Sequence, residues 1–532
     1  MKTIFPVDLE SKAISAASSR LLPTEASNPK TILIAVADGM GGYGDFLFAL
    51  KLAEQLRKKY ADSGLKIPPI YLVSQPSGKE SIKKIKADIE FGVEILTPDE
   101  LSLKVAAKEI EVGLVIEAPV FTYDLIDSID VALASMQERI PLMLITEYGQ
   151  HSVISREDFA SQENYRKTQC KHIQYKSIIY SGFRSEAGEQ GILVSESLLH
   201  PASADKLLNE LDEKLRIPLL SNSDLAHYQA TTALSMQYSH DLSERAIRTQ
   251  TTPAHHFLKV HHEFCKTSQQ NQDIVMVGKD MVSKKNALME IKDKLIRENF
   301  TRISFINTDT RIEDVLYDDK RVGGKTYRVI YTSGMTHLSM NACIALSSPL
   351  SGATGDQSLS ESLSANKIMV YECLAHKKEL ISDYDAAMDR IAHHDPDINN
   401  ILMLLRTANT DLAYEALGHL IRDPVIQEKF QRYNQMLLEE YDLVTYVLTA
   451  AASYQGKSLI QYPTDSDPED IFAQRRIKEA LRGSNEACEG LDAVKNKPTV
   501  QTLSGDDLKK NVKQLREKEE KEVPLKPKPD LY

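Results

Sequence analysis

Carboxylates and hydroxyls set among glycines occur twice in this chain, and both places could do chemistry. The later one is Ser347-Ser348-Pro349-Leu350-Ser351-Gly352-Ala353-Thr354-Gly355-Asp356-Gln357-Ser358-Leu359-Ser360-Glu361. It reads as a small, polar, glycine-rich loop running into a helix start, with the apolar strand Ile368–Tyr371 soon after. Backbone N–H groups and the helix dipole at such a start attract phosphate. Asp356 and Gln357 can hydrogen-bond ribose, base or sugar hydroxyls. Ser358 and Glu361 have capping-box spacing, which gives them a structural alternative. The earlier place is Ala37-Asp38-Gly39-Met40-Gly41-Gly42-Tyr43-Gly44-Asp45. Gly41, Gly42 and Gly44 would let the backbone approach a ligand closely, although a tight strand-to-helix turn explains them equally well.

These residues need elements to hold them. Short apolar runs at 31–37, 70–74, 93–96, 113–116 and 142–146 predict strands buried on both faces, with helices at 46–60, 98–110 and 124–139 between them. A second series follows: a strand at 273–277, a helix at 284–298, and strands at 303–307 and 327–331. Such alternation predicts an α/β protein with two doubly wound, Rossmann-like domains facing a cleft. We expect an arm over 1–30, an N-terminal acceptor-side domain over 31–240 and a C-terminal nucleotide-sugar-binding domain over 241–380. A helical region over 381–461 and a polar, flexible tail over 462–532 complete the chain.

Composition narrows the function classes. With 532 residues and 42% hydrophobic content, the chain can bury two cores. A net charge of -12 argues against general nucleic-acid binding. The five cysteines form no Cys-x-x-Cys pair and predict reduced thiols in a cytoplasmic chain. No apolar run approaches the ~20 residues of a membrane span, and the N-terminus lacks the apolar core of a signal peptide.

Two α/β domains, a glycine-rich turn after the first strand and a polar loop late in the second resemble the GT-B glycosyltransferases over about Thr31 to Ile381. Gly44-Asp45-Phe46 with the helix after it, and Gly355-Asp356-Gln357-Ser358, are similar to the Gly-Asp and late Gly-acidic-Asp-Ser motifs of bacterial protein-arginine rhamnosyltransferases. That family carries a further catalytic Asp where this chain has Gly41. The resemblance implies a nucleotide-sugar donor as substrate, a protein or small-molecule acceptor, and no metal or other cofactor. An inverting transfer needs a base, which Asp45 or Asp38 would supply. The departing diphosphate would rest on Gly355–Ser358 with help from Lys279, and Glu361 would contact ribose. The Glu-rich tail resembles the export signals of type IV secretion effectors, which implies delivery into a host cell.

Other readings compete. Val36-Ala37-Asp38-Gly39-Met40-Gly41-Gly42 resembles the metal-binding segment of metal-dependent Ser/Thr protein phosphatases, whose sheets are antiparallel. A binding scaffold without catalysis is the third alternative. His255, His256, His261 and His262 lack zinc spacing on a helix, which leaves a phosphate or acceptor contact, or ordinary packing. No Gly-x-Ser-x-Gly elbow marks a nucleophilic serine.

Overall fold

The apolar runs are strands because their side chains are buried on both faces. All five residues of the first strand and all six of the fourth are buried. The computed structural model describes residues 29–454, apart from 38–43, 85–90, 121–122, 147, 149–164, 166, 185–188, 221–224, 241–251, 321–323 and 375–376. The chain forms two compact units.

The first unit runs β1 (Thr31–Ala35), α1 (Gly44–Asp62), β2 (Ile70–Val73), α2 (Pro76–Lys84), β3 (Glu94–Leu96), α3 (Pro98–Ala106), β4 (Val112–Glu117), α4 (Tyr123–Ala132), β5 (Ile140–Ile145) and β6 (Ile173–Ile179). Its sheet has the order β3-β2-β1-β4-β5-β6, with every pairing parallel. That is the doubly wound arrangement expected, with its reversal between β1 and β4. Local signals fix the elements. Thr97, for example, accepts from Glu100 N at 3.2 Å while the Glu100 carboxylate accepts from Thr97 N at 2.7 Å, a capping box that starts α3.

The second unit opens with short helices at Glu196–Leu199, Ala204–Glu210, Glu213–Leu220 and Leu225–Thr231. It runs β7 (Thr232–Tyr238), α5 (Pro253–Cys265), β8 (Asn271–Val277), α6 (Met281–Arg297), β9 (Phe300–Asn307), β10 (Ile312–Asp318), β11 (Lys325–Thr332), α7 (His337–Leu346), β12 (Leu350–Thr354), α8 (Gly355–Ser364) and β13 (Ile368–Glu372). The strand order is β10-β9-β11-β8-β7-β12-β13, and β10 alone runs antiparallel to its neighbour. The helices α9 (Lys378–Ile391), α10 (Pro396–Thr407), α11 (Asp411–Arg422) and α12 (Pro424–Glu440) close this unit. The last helix, α13 (Leu443–Tyr454), belongs to the first unit and packs on α1, where Lys59 and Asp442 pair at 2.6 Å.

The units therefore divide elsewhere than at residue 240. β7 lies inside the second sheet, so that unit begins before residue 240. The helical stretch after 380 is not a separate region: α9–α12 are part of the second unit, and α13 returns to the first. Residues 1–28 and 455–532, most of the expected arm and all of the expected tail, lie outside the described residues.

The four histidines of α5 are structural. His256 is bonded to Tyr414 Oη and Leu405 O, each at 3.0 Å, which ties α5 to α10 and α11. His261 is fully buried, and His262 pairs with Glu263 and Glu298 at 3.1 and 3.0 Å. His255 bonds Thr252 Oγ1 at 2.5 Å and faces Glu290 at 3.0 Å. Among the described residues, no helix is long and apolar enough to cross a membrane.

Candidate functional site

In the second sheet the chain reverses between β7 and β12. β8, β11 and β9 lie on one side of β7, while β12 and β13 lie on the other. Open α/β sheets bind ligands at such a reversal, outside the carboxyl ends of the strands. The residues at that edge are Tyr238 at the end of β7 and His240 beyond it, Thr354 at the end of β12 with the head of α8 after it, and Glu372 at the end of β13.

The segment 350–354 is a strand, not the loop expected. Gly352 makes the pairing with β7 close: a Cβ there would meet Gln237 Cγ at 2.6 Å and the Phe257 ring at 3.0 Å. The predicted capping box does not form either. Thr354 caps α8, and Ser358 Oγ instead accepts from Thr354 N at 3.0 Å and donates to Thr354 O. This folds the backbone back on itself at the strand-to-helix corner. Gly355 takes φ +75° there, with open space where a side chain would stand.

Of the buried hydroxyls at this corner, Thr354 Oγ1 has no hydrogen-bond partner among the described residues, and Tyr371 Oη has only the Gly355 backbone N–H beside it, with no acceptor for its own proton. Burial first, then the nearby Asp356 charge, holds the Tyr371 phenol far above its ordinary pKa, so it stays protonated. Asp356 does not stand open to a ligand as predicted. It is buried and pairs with the buried Lys377 at 2.8 Å. Lys377 offsets a carboxylate that would otherwise repel an anion at the helix head. Gln357 is half-buried in the first turn.

Glu361 lies one turn further along α8, buried, with its carboxylate 3.1 Å from His337 Nε2 at the start of α7. Across the reversal, Glu372 accepts from His240 N at 2.6 Å. The Tyr238 phenol is raised by burial and then by the charges of Glu361 and Glu372. The edge thus joins a helix N-terminus, two carboxylates and two histidines. Glu372 was a lesser acidic candidate than Glu361 in the sequence, whereas Tyr238, His240, His337 and Lys377 escaped it, because separate elements bring them together and no local motif marks them.

Lys279 is exposed after β8, and its carbonyl accepts from Tyr331 Oη at 3.4 Å. It stands two strands from β12, roughly 10 Å by ordinary strand spacing. The structure places it on the same edge but not at the head of α8. Gly278 before it is constrained, since at φ +141° a Cβ would meet Ser239 O at 2.1 Å.

In the first unit, Gly44 and Asp45 open α1, with Gly44 exposed and Asp45 half-buried in the first turn. Asp38, Gly41 and Gly42 lie outside the described residues. Glu117, buried at the end of β4 in register with Ala35 of β1, is an acidic residue at the first reversal that the sequence reading passed over. The first sheet is parallel throughout, against the antiparallel sheets of the phosphatase alternative, so that alternative is set aside.

No family model and no curated protein matches the chain. Among solved structures it is similar to MnaA of S. aureus in a co-structure with UDP, at 10% identity and TM-score 0.43, over 82% of this chain and 100% of that one. A candidate UDP-N-acetylglucosamine 2-epimerase from Listeria monocytogenes is similar at 9% identity and TM-score 0.42, over 80% of this chain and 96% of that one. A mutant of S. aureus TarM in complex with UDP and two sugar ligands is similar at 12% identity and TM-score 0.34, over 81% and 100%. At TM-scores this low, none of them decides a function.

Proposed function

We propose that the chain is a glycosyltransferase of the GT-B kind whose second unit holds the diphosphate of a nucleotide-sugar at the head of α8. The observation that carries this is the corner itself: a helix N-terminus at the sheet reversal, beside which the Thr354 and Tyr371 hydroxyl protons have no acceptor among the described residues. The helix end supplies roughly half a positive charge. Anion binding there gives the two hydroxyls an acceptor, and charge building on the leaving diphosphate strengthens both effects. Glu361, oriented by His337, is placed to accept from a sugar or ribose hydroxyl. Asp45 is the proposed base in the first unit, with Asp38 the second candidate. The reading gives the enzyme no resident metal.

Turnover tests it. A glycosyltransferase slowly hydrolyses its own donor when acceptor is withheld, and EDTA leaves that rate unchanged. Asp45→Asn should lower the transfer kcat about 100-fold or more with little change in donor KM. Donor binding without turnover of any sugar in a UDP, GDP and dTDP panel would favour the scaffold alternative instead. A protein acceptor in a host cell is the finer reading from the two resemblances. A translocation reporter fused to the tail tests delivery, and no translocation removes that part alone.

A further inference from the structure

The opposite end of the second sheet carries a separate cavity of about 300 Å³. Its walls are the apolar side chains of Leu208, Leu219, Leu234 and Leu346, and no charged side chain among the described residues lines it. The polar residues lining it are Tyr228, Gln229, Thr232, Gln270 and the Ser347–Ser348 turn before β12, and the Tyr228 hydroxyl is already bonded to Asp273.

Ser348 is the end of a buried chain of hydrogen bonds. Its Oγ lies 2.7 Å from Ser235 Oγ, which lies 3.1 Å from His261 Nε2, and His261 Nδ1 lies 3.0 Å from Tyr327 Oη. Ser235, His261 and Tyr327 are all fully buried. The direction of this chain follows from its far end. The Tyr327 hydroxyl is protonated and has His261 as its one hydrogen-bond partner among the described residues, so it donates to Nδ1. Burial keeps the imidazole neutral, so Nε2 carries the proton and donates to Ser235. Ser235 then donates to Ser348, which leaves the Ser348 proton to be donated at the cavity that Ser348 lines. Reversed, the chain would strand the Tyr327 proton in the core at a cost of about 1–3 kcal/mol.

We propose that this cavity is a second small-molecule site, distinct from the head of α8, which takes a neutral carbonyl compound with an apolar body. The carbonyl oxygen accepts from Ser348, and the leucine walls cover the body. The volume is at the lower end for ligand sites, which limits the guest to a small molecule. An uncharged lining excludes ions, because an ion would lose its hydration with no partner.

N-cyclohexylacetamide serves as the probe, with cyclohexanecarboxylate as the charged comparator, followed by ligand-observed NMR titration on the full chain. The wild type should bind the amide at low millimolar or tighter and the carboxylate at least about tenfold more weakly. Ser348→Ala should weaken the amide about 3- to 10-fold. Ala233→Leu, which fills the cavity, should abolish binding. Tyr327→Phe, whose hydroxyl does not line the cavity, should weaken the amide as Ser348→Ala does, since it removes the group that sets the proton direction. Saturating UDP should leave the amide affinity unchanged. No amide binding, equal binding of the carboxylate, or indifference to both Ser348→Ala and Ala233→Leu would overturn the proposal. Ser348 is half-buried at a turn, so its variant decides the matter even if Tyr327→Phe fails to fold.

Discussion

A buried hydroxyl without a partner costs about 1–3 kcal/mol. Among the described residues the head of α8 holds one, Thr354, and beside it Tyr371, whose proton has no acceptor. A residue kept only for the fold would not carry that cost. Thr354→Val keeps the shape and removes the orphan oxygen, so unfolding free energy should hold or rise by up to ~1 kcal/mol. Nucleoside diphosphate affinity should fall about 3- to 10-fold. Denaturant melts and titrations of the same preparation check both halves, and a loss of stability with unchanged affinity would mark Thr354 as purely structural. Lys377 gives a contrasting case. Lys377→Met should destabilise by about 3–5 kcal/mol, because it removes the buried cation that pairs with the buried Asp356 carboxylate. At this scale the sequence revealed the residues but not their partners. Asp356 and Glu361 stood out as acidic residues near a helix start. That one faces Lys377 and the other His337 depends on α7 and the turn before α9.

Elements were legible where one physical signal dominated. β1 and β4 are continuous apolar runs because both of their faces are covered. β7 was not legible, because its buried Ser235 and Gln237 are satisfied by particular partners, His261 Nε2 and Pro253 O. β12 was read as a loop because Ser351 and Gly352 are small and polar, yet Gly352 is there to let Gln237 and Phe257 approach. Helix α5 shows the same principle with charge. Burial lowers His256 to a pKa of about 4 and His261 to about 3, so both stay neutral. The unfolded chain takes up those protons near pH 6.5, so the stability they contribute is present above that pH and lost as the pH falls below it. His262 has the opposite sign. Burial alone would lower it, but Glu263 and Glu298 outweigh burial and raise it. Its contribution is complete below pH 6.5 and fades as the pH rises through the raised value. Between pH 7 and 5.5 the two neutral histidines should remove about 2 kcal/mol of stability, partly offset by His262. Urea melts of His262→Gln should therefore show a steeper acid loss than the wild type, and a shallower loss would contradict the assignment.

For the whole molecule, alternation of strands and helices predicted two doubly wound units, and both are present. The boundary was misplaced because the chain visits its units out of sequence order. The last described helix, α13, belongs to the first unit and lays Leu443, Val447 and Leu448 into its core. No composition change marks that return. A chain ending after Tyr441 should thus lose protection from hydrogen exchange in β4 and α1 of the first unit while β8 of the second keeps its own. Equal loss in both units would contradict the division.

The proposed diphosphate site occupies one corner of one unit, so calorimetric titration of UDP, GDP and dTDP into the wild type and Gly355→Asp tests it most directly. Nothing stands where the new side chain would go, and although φ +75° strains any non-glycine, Asp tolerates that region better than most residues; its carboxylate would then sit where the diphosphate is proposed to rest. We predict that one of the three nucleotides binds the wild type at about micromolar Kd and that folded Gly355→Asp binds it at least about tenfold more weakly. Binding of none by the wild type, or undiminished binding by the variant, would contradict the claim.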